Sequence, residues 1–411
     1  MAGLYPLIVA FLVLSILEPP LKADNSTGMD DARLKRIAGR MKEFVDSGSI
    51  AGAVTLVSHH RTIMSLDAVG CQDLQTKEPM RKDTIFQIMS MTKPITATAV
   101  MILVEEGRLS PGDPVEKYLP EFKSMWVVGE HDDVRRLSLR RPARAITIRD
   151  LLTHTSGMYH DPPPVFSDLR YFAGLTLKEI VQIGSQQPLD FDPGTAWQYS
   201  DIGFAALGRI IEIVSGQPFD KFIQSRIFAP LGMVDSYLFP PAEKWARIAT
   251  PYVLESGKLR PMAADTWGGG DLLHRKGTKY SFPEGGAYST ASDLAALYQM
   301  FLRCGIYNGT RILSKSTIEL MTEVHTAALP AGHEPGTGYG FGWEIVEEPL
   351  GRAFLPGESI GSYWHAGAFG TYGWVDPSKD LFGILLMQRS PGSAGEERNA
   401  FVAIVNSAVI N

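Results

Sequence analysis

The sequence predicts an α+β fold: an antiparallel β-sheet flanked by helices, built from the N- and C-terminal segments, with a mainly α-helical domain inserted between them. Three observations carry this. Stretches of strand character lie near both ends of the chain, helix-spaced apolar residues fill its middle, and 411 residues are long for one compact domain but suit two interleaved ones. The sheet part is expected over 29–108 and 285–411, and the helical part over 109–284.

Leu4 to Leu17 is an uncharged apolar run followed by Glu18-Pro19-Pro20. It is short for a membrane span and has the form of a secretory h-region with a cut after Ala23. Residues 1–23 are therefore expected to be a signal peptide or N-terminal anchor, the protein exported, and any membrane association confined to this segment. Met29–Gly48 places Leu34, Ile37, Ala38, Met41, Phe44 and Val45 at helical spacing. Ile50–Ser58 reads as a strand and Arg61–Gly70 as its hairpin partner. The alanine-rich apolar run from Ile95 through Leu103 to Gly107 reads as a buried helix.

Turn formers follow from Leu109. Lys123–Arg144 is charged and without periodicity, which describes a solvated excursion. Thr147 and Asp150 have the spacing of a capping box on a short helix that stops at Gly157, where His154 and Ser156 brace a turn. Leu175–Gln186, Gly203–Ser215 and Pro218–Ala229 read as helices. Gly285–Leu294 reads as a turn capping a helix to Cys304. From Tyr339 the period changes to strands: Tyr339–Val346, Ser362–His365, Gly370–Val375 and Leu381–Met387. An apolar helix, Glu396–Val409, closes the chain.

Bulk properties narrow the chemistry. Net charge is −6 with no long basic run, so nucleic acid is not an expected partner. Cys71 and Cys304 have neither disulfide-framework nor metal-ligand spacing and read as buried free thiols. His59, His60, His154 and His160 form no H-E-x-x-H pattern, and neither metal nor cofactor is expected. Ser90-x-x-Lys93 stands out because residues three apart at a helix start share a face. A desolvated lysine there can lose its charge and take the serine proton. The helix N-terminus offers backbone N–H groups to an oxyanion. Between two helices, Tyr199-Ser200-Asp201 lies on a loop placing Tyr199 inward.

Ser90-x-x-Lys93, Tyr199-Ser200-Asp201 and His365-Ala366-Gly367 occur in the order of the three motifs of the serine β-lactamase and penicillin-binding-protein superfamily. The chain resembles the class C branch and its relatives, the family VIII carboxylesterases. Leu151–Gly157, Gly286–Asp293 and Tyr339–Trp343 extend the similarity from about Arg33 to the C-terminus. The resemblance implies a β-lactamase/transpeptidase-like fold with Ser90 as the acylated nucleophile. Lys93 and Tyr199 would share its proton, with Lys93 favouring the phenolate. The N–H groups of Ser90 and Ala368 would form the oxyanion hole, and Asp201, His365 and Gly367 would border the substrate.

Two departures bear on the substrate. His365 replaces the lysine usual in β-lactamases, and a neutral imidazole grips a carboxylate less well. Asp201 replaces an amide that would donate to substrate; a carboxylate cannot, and would pair with Lys93 instead. Both favour small-molecule ester substrates. A carboxylesterase acting on short acyl esters is the expected function. The alternatives are a D-alanyl-D-alanine carboxypeptidase or weak β-lactamase using the same residues, or a non-catalytic penicillin-recognising module. Gly357-Glu358-Ser359-Ile360-Gly361 satisfies the G-x-S-x-G nucleophile-elbow pattern, but β structure follows it where that elbow needs a helix, so Ser359 reads as a loop serine.

Overall fold

The computed structural model describes residues 28–129, 138–159, 169–348, 357–392 and 395–410. The apolar run Leu4–Leu17, the cut after Ala23, His160 and part of the arginine-rich excursion lie outside them. Among the described residues no helix is long and apolar enough to cross a membrane.

The main sheet has eight strands: β1 (Gly52–His59), β2 (Thr62–Asp73), β3 (Glu78–Pro79), β4 (Thr337–Tyr339), β5 (Glu344–Val346), β6 (Tyr363–Ala366), β7 (Tyr372–Asp376) and β8 (Leu381–Met387). Their order is β4-β5-β6-β7-β8-β1-β2-β3, each pair antiparallel. The two ends of the chain thus meet inside one sheet, with Ala53 opposite Met387 and His59 opposite Leu381.

Side chains alternate between two buried faces, as the period of two requires. Ala53, Val57, Leu381, Leu385 and Met387 pack on helices α1 (Arg36–Asp46) and α7 (Glu396–Ala408) through Ile37, Met41, Phe401 and Val405. Val54, Leu56, Phe382, Ile384 and Leu386 face the other way. That face carries α2 (Lys93–Glu105) and α6 (Ala291–Leu302). Gly383 is glycine because the Trp374 ring lies where a Cβ would project. The inserted helices α3 (Ile148–Leu152), α4 (Leu177–Gly184) and α5 (Asp201–Ser215) join the same apolar cluster through Leu151, Ile180 and Phe204. Sheet part and insert therefore share a core.

Helix α2 is buried from Lys93 through Leu103. Its threonines satisfy themselves on carbonyls: Thr98 Oγ1 donates to Pro94 O at 2.7 Å and Thr96 Oγ1 to Pro283 O at 2.6 Å. Several elements differ from expectation. Tyr339–Val346 is not one strand but the hairpin β4–β5, because Gly342 takes a φ of 76° and Gly340 N–H closes the turn on Trp343 O at 2.9 Å. The Pro218–Ala229 helix runs as α over Phe219–Ile223 and as a π turn over Gln224–Phe228. A hairpin, Tyr252–Glu255 with Lys258–Pro261, was not anticipated. Cys71 and Cys304 are free but half-buried, not buried.

Candidate active site

Ser90 lies in a 3₁₀ turn, Met89–Thr92, that feeds directly into α2, whose first residue is Lys93. Serine and lysine are thus one turn apart, as expected, although the serine precedes the α-helix. Met89 is held at a φ of 48°, a left-handed conformation costly for a side chain of its size. The surroundings enforce it. Ile88 N–H donates to Ala287 O at 3.0 Å, Thr92 Oγ1 donates to Met89 O at 2.7 Å, and Ala287 N–H donates to Thr92 Oγ1 at 3.1 Å.

Lys93 is fully buried. Its Nζ donates to Asp201 Oδ1 at 2.7 Å, to Glu284 O at 2.9 Å and to Ser90 Oγ at 3.3 Å. Asp201 is the first residue of α5, where a carboxylate also meets the positive end of the helix. The ammonium lies over the Tyr199 ring, 4.4 Å from its centroid. Asp201 thus pairs with the lysine, as its charge led one to expect.

Tyr199 is nearly buried, and burial pushes its phenol far above the ordinary tyrosine range. The Asp201 charge adds to this, while a hydrogen bond with Ser90 pulls back. Lys93 is expected to favour a phenolate, but it is paired with Asp201, and burial of Tyr199 acts against that ionisation. Tyr199 rests as a proton donor.

The loop carrying Tyr199 is fixed by His154, which is fully buried with a φ of 59°. Its O accepts Gln198 N–H at 2.9 Å and its Nδ1 accepts Ser200 N–H at 3.0 Å. Its Nε2 then carries the proton and donates to Tyr339 Oη at 3.1 Å. Tyr339 donates to His365 Nε2 at 3.3 Å, and His365 Nδ1 donates to Ala366 O at 2.8 Å. Both imidazoles are consumed by this chain. Burial, and then the Lys93 charge, hold His365 well below the usual histidine range. The expected contact of His365 with a substrate carboxylate is therefore unavailable: the ring is neutral, internal and fully bonded.

Gly367 and Ala368 stand on the turn after β6. A Cβ at Gly367 would strike Ile88 O and Thr371 Oγ1, and Thr371 Oγ1 donates to Ile88 O at 3.0 Å. Ile88 is two residues before Ser90, so this close approach brings the Ala368 turn to the serine turn. Ser359 sits apart in a loop, donating to Asp376 Oδ2 at 2.7 Å.

Three residues of the site escaped the sequence reading. Glu284 is buried, with Tyr280 Oη donating to its Oε1 and its Oε2 unpartnered. Burial and the Asp201 charge push its acid up to about 8, against the pull of Tyr280. Glu344, also buried, takes His333 Nδ1 at 2.5 Å and His333 N–H at 3.0 Å. The His333 ring stands edge-on to Tyr199, with centroids 4.6 Å apart. A lone carboxylate within the apolar run Trp343-Glu344-Ile345-Val346 was a signal for Glu344. Nothing local marked His333.

The sequence model of the beta-lactamase family matches residues 37–407. Esterase EstB of Burkholderia gladioli is 29% identical over 359 residues, covering 82% of this chain and 86% of that one. Penicillin-binding protein 4 of Amycolatopsis lactamdurans is 30% identical over 308 residues, covering 74% and 72%. Among solved structures, EstCE1, described as a hydrolase with promiscuous acyltransferase activity, superposes with a TM-score of 0.76 at 24% identity, covering 93% of this chain and 99% of that one. That likeness is one of fold.

Proposed function

The chain belongs to the beta-lactamase family, which includes esterases and peptidases, and from that membership we propose that it is a carboxylesterase for short acyl esters, working through an acyl-enzyme on Ser90. The observation that supports this best is the buried Lys93, 3.3 Å from Ser90 Oγ and 2.7 Å from Asp201. A proton moved from Lys93 to Asp201 leaves a neutral amine beside the serine. Ser90 Oγ attacks the ester carbonyl carbon and its proton passes to Lys93 Nζ. The N–H groups of Ser90 and Ala368 hold the oxyanion. Collapse breaks the ester C–O bond; the leaving alkoxide takes the Tyr199 proton, which Lys93 replaces. A phenol that resists ionisation suits this donor role. Esters are favoured over amides because Asp201 offers no donor to a substrate amide and His365 none to a carboxylate. EstB, named an esterase, agrees with this choice.

Hydrolysis of p-nitrophenyl butyrate and of a chromogenic cephalosporin, side by side, tests the reading. Ester turnover is expected in wild type and in Ser359→Ala. It should fall to background in Ser90→Ala, and by about 10²- to 10⁴-fold in Lys93→Ala. Fast cephalosporin turnover would favour a β-lactamase instead, and activity surviving Ser90→Ala would remove the mechanism. The same reading includes export through Leu4–Leu17, checked by whether the mature N-terminus begins at Asp24.

A further inference from the structure

Taking the acyl-enzyme reading above as its basis, we propose that His333 is a further catalytic residue: the base that activates water to release the acyl group from Ser90, oriented by Glu344. Acylation has its proton carriers in Lys93 and Tyr199. Deacylation needs a group that can take a proton from water, and the neighbouring lysine, tyrosine and other histidines are committed. Lys93 Nζ has three partners, and Tyr199 is held as a phenol. His154 and His365 spend both ring nitrogens on the buried chain through Tyr339. His325 is turned away, bonded to Leu320 O at 2.7 Å and stacked on Phe341.

His333 differs from these imidazoles in every respect that matters. Its side chain is 47% exposed, yet it borders the site, edge-on to Tyr199 at 4.6 Å and to Trp197 at 5.6 Å between centroids. The Glu344 carboxylate, 1% exposed, clamps both its Nδ1 and its backbone N–H. That clamp fixes the proton on Nδ1 and leaves the Nε2 lone pair directed away from Glu344, the arrangement in which a carboxylate-oriented imidazole acts as a base. Burial works against charge on this ring, but the Glu344 bond and charge outweigh it and raise its affinity for a proton above that of an ordinary histidine. The other charges facing it are Lys93, beneath Tyr199, which opposes, and Glu334, which assists and is itself paired with Arg398 at 2.6 Å.

The step balances as follows. Water oxygen bonds to the acyl carbon while one water proton moves to His333 Nε2. The tetrahedral intermediate collapses with cleavage of the carbon–Ser90 Oγ bond, Ser90 Oγ takes the Tyr199 proton, and the proton on His333 replaces it at Tyr199. The carboxylic acid leaves with His333 neutral again, and Lys93 recovers the proton that Asp201 has held since acylation.

Pre-steady-state hydrolysis of p-nitrophenyl butyrate by wild type, His333→Ala, His333→Gln and Glu344→Gln separates the two half-reactions. Glutamine at 333 retains an N–H for Glu344 and guards against loss of the loop's fold. In both His333 variants the first equivalent of p-nitrophenol should appear at the wild-type rate. Steady turnover should then fall by about 10²-fold or more, with a butyryl adduct accumulating on Ser90 by mass spectrometry. Added imidazole should restore turnover in His333→Ala. In Glu344→Gln the rise of the deacylation rate with pH should move to lower pH, because the charge that holds the imidazole proton is gone. Unchanged turnover, or burst and steady rates falling together without adduct, would overturn the assignment. Wild type that never forms a Ser90 adduct would instead overturn the acyl-enzyme reading beneath it.

Discussion

Glu284 makes the arrangement around Lys93 pH-sensitive in a way that activity alone would not show. Its carboxyl is buried, and burial with the Asp201 charge raises it from the ordinary glutamate range to about 8. In the unfolded chain it ionises near 4.5. Between these values the folded state binds the extra proton, so stability must fall as pH rises through that window. Glu284→Gln removes the penalty. Its melting temperature should equal that of wild type near pH 4 and exceed it increasingly up to pH 8; parallel curves would show that Glu284 does not titrate. At this scale the sequence was legible where chemistry is written in short spacing, as in Ser90-x-x-Lys93 and Tyr199-Ser200-Asp201. The tie of Asp201 to Lys93 followed from charge alone. Glu284 and His333 were hidden because each gains meaning from a neighbour far along the chain, Asp201 and Tyr199, and Glu344 gains its own through His333. His365 was misjudged for the same reason: its partner is Tyr339, on a strand two places across the sheet.

The turn after β6 shows how one element sets the geometry of another. Gly367 has no room for a side chain because Ile88 O and Thr371 Oγ1 occupy its space. Backbone cannot yield there as the end of a flexible side chain would. Gly367→Ala should push the Ala368 N–H away from Ser90 while leaving both hydrophobic cores intact. We expect kcat for ester hydrolysis to drop by about 10²-fold or more, the scale of a lost oxyanion donor, with near-UV circular dichroism unchanged; retained kcat would show that Ala368 N–H is not such a donor. Elements defined by local rules were readable. Thr147 and Asp150 form both halves of the expected capping box, and Ser200 caps α5. The β4–β5 hairpin was not read, although Gly340 and Gly342 marked its turn, because the apolar run continued through it.

For the molecule as a whole, the sheet of both ends around a helical insert was visible in the sequence. The order of its strands was not, since pairing β1 with β8 depends on packing such as Trp374 across Gly383. Helix α7 closes one face: Phe401, Val402, Val405 and Ala408 are buried against Tyr372 and Trp374, and Arg389 forms a buried pair with Glu397 at 2.9 Å. Removing Glu396–Ala408 forfeits the burial of several such side chains at roughly 2 kcal/mol each, comparable with the whole stability of a typical protein. The truncated chain should bind the dye ANS and lose its cooperative thermal transition. A sharp transition near the wild-type temperature would show that α7 is dispensable.

The pairing of Ala53 with Met387 also sets an order in time. A chain emerging from the ribosome carries Ser90, Lys93 and Tyr199 well before it carries Gly367 and Ala368. Until β8 is made, β1 has an unpaired edge and the serine turn lacks the glycine turn that docks on Ile88. The early half must therefore wait with its strand edge open, a condition that invites holding by chaperones. Under the mechanism proposed for Ser90, reactivity toward esters arrives late, with the last strands, so a nascent chain is spared from acylating itself on passing substrate before it has finished folding.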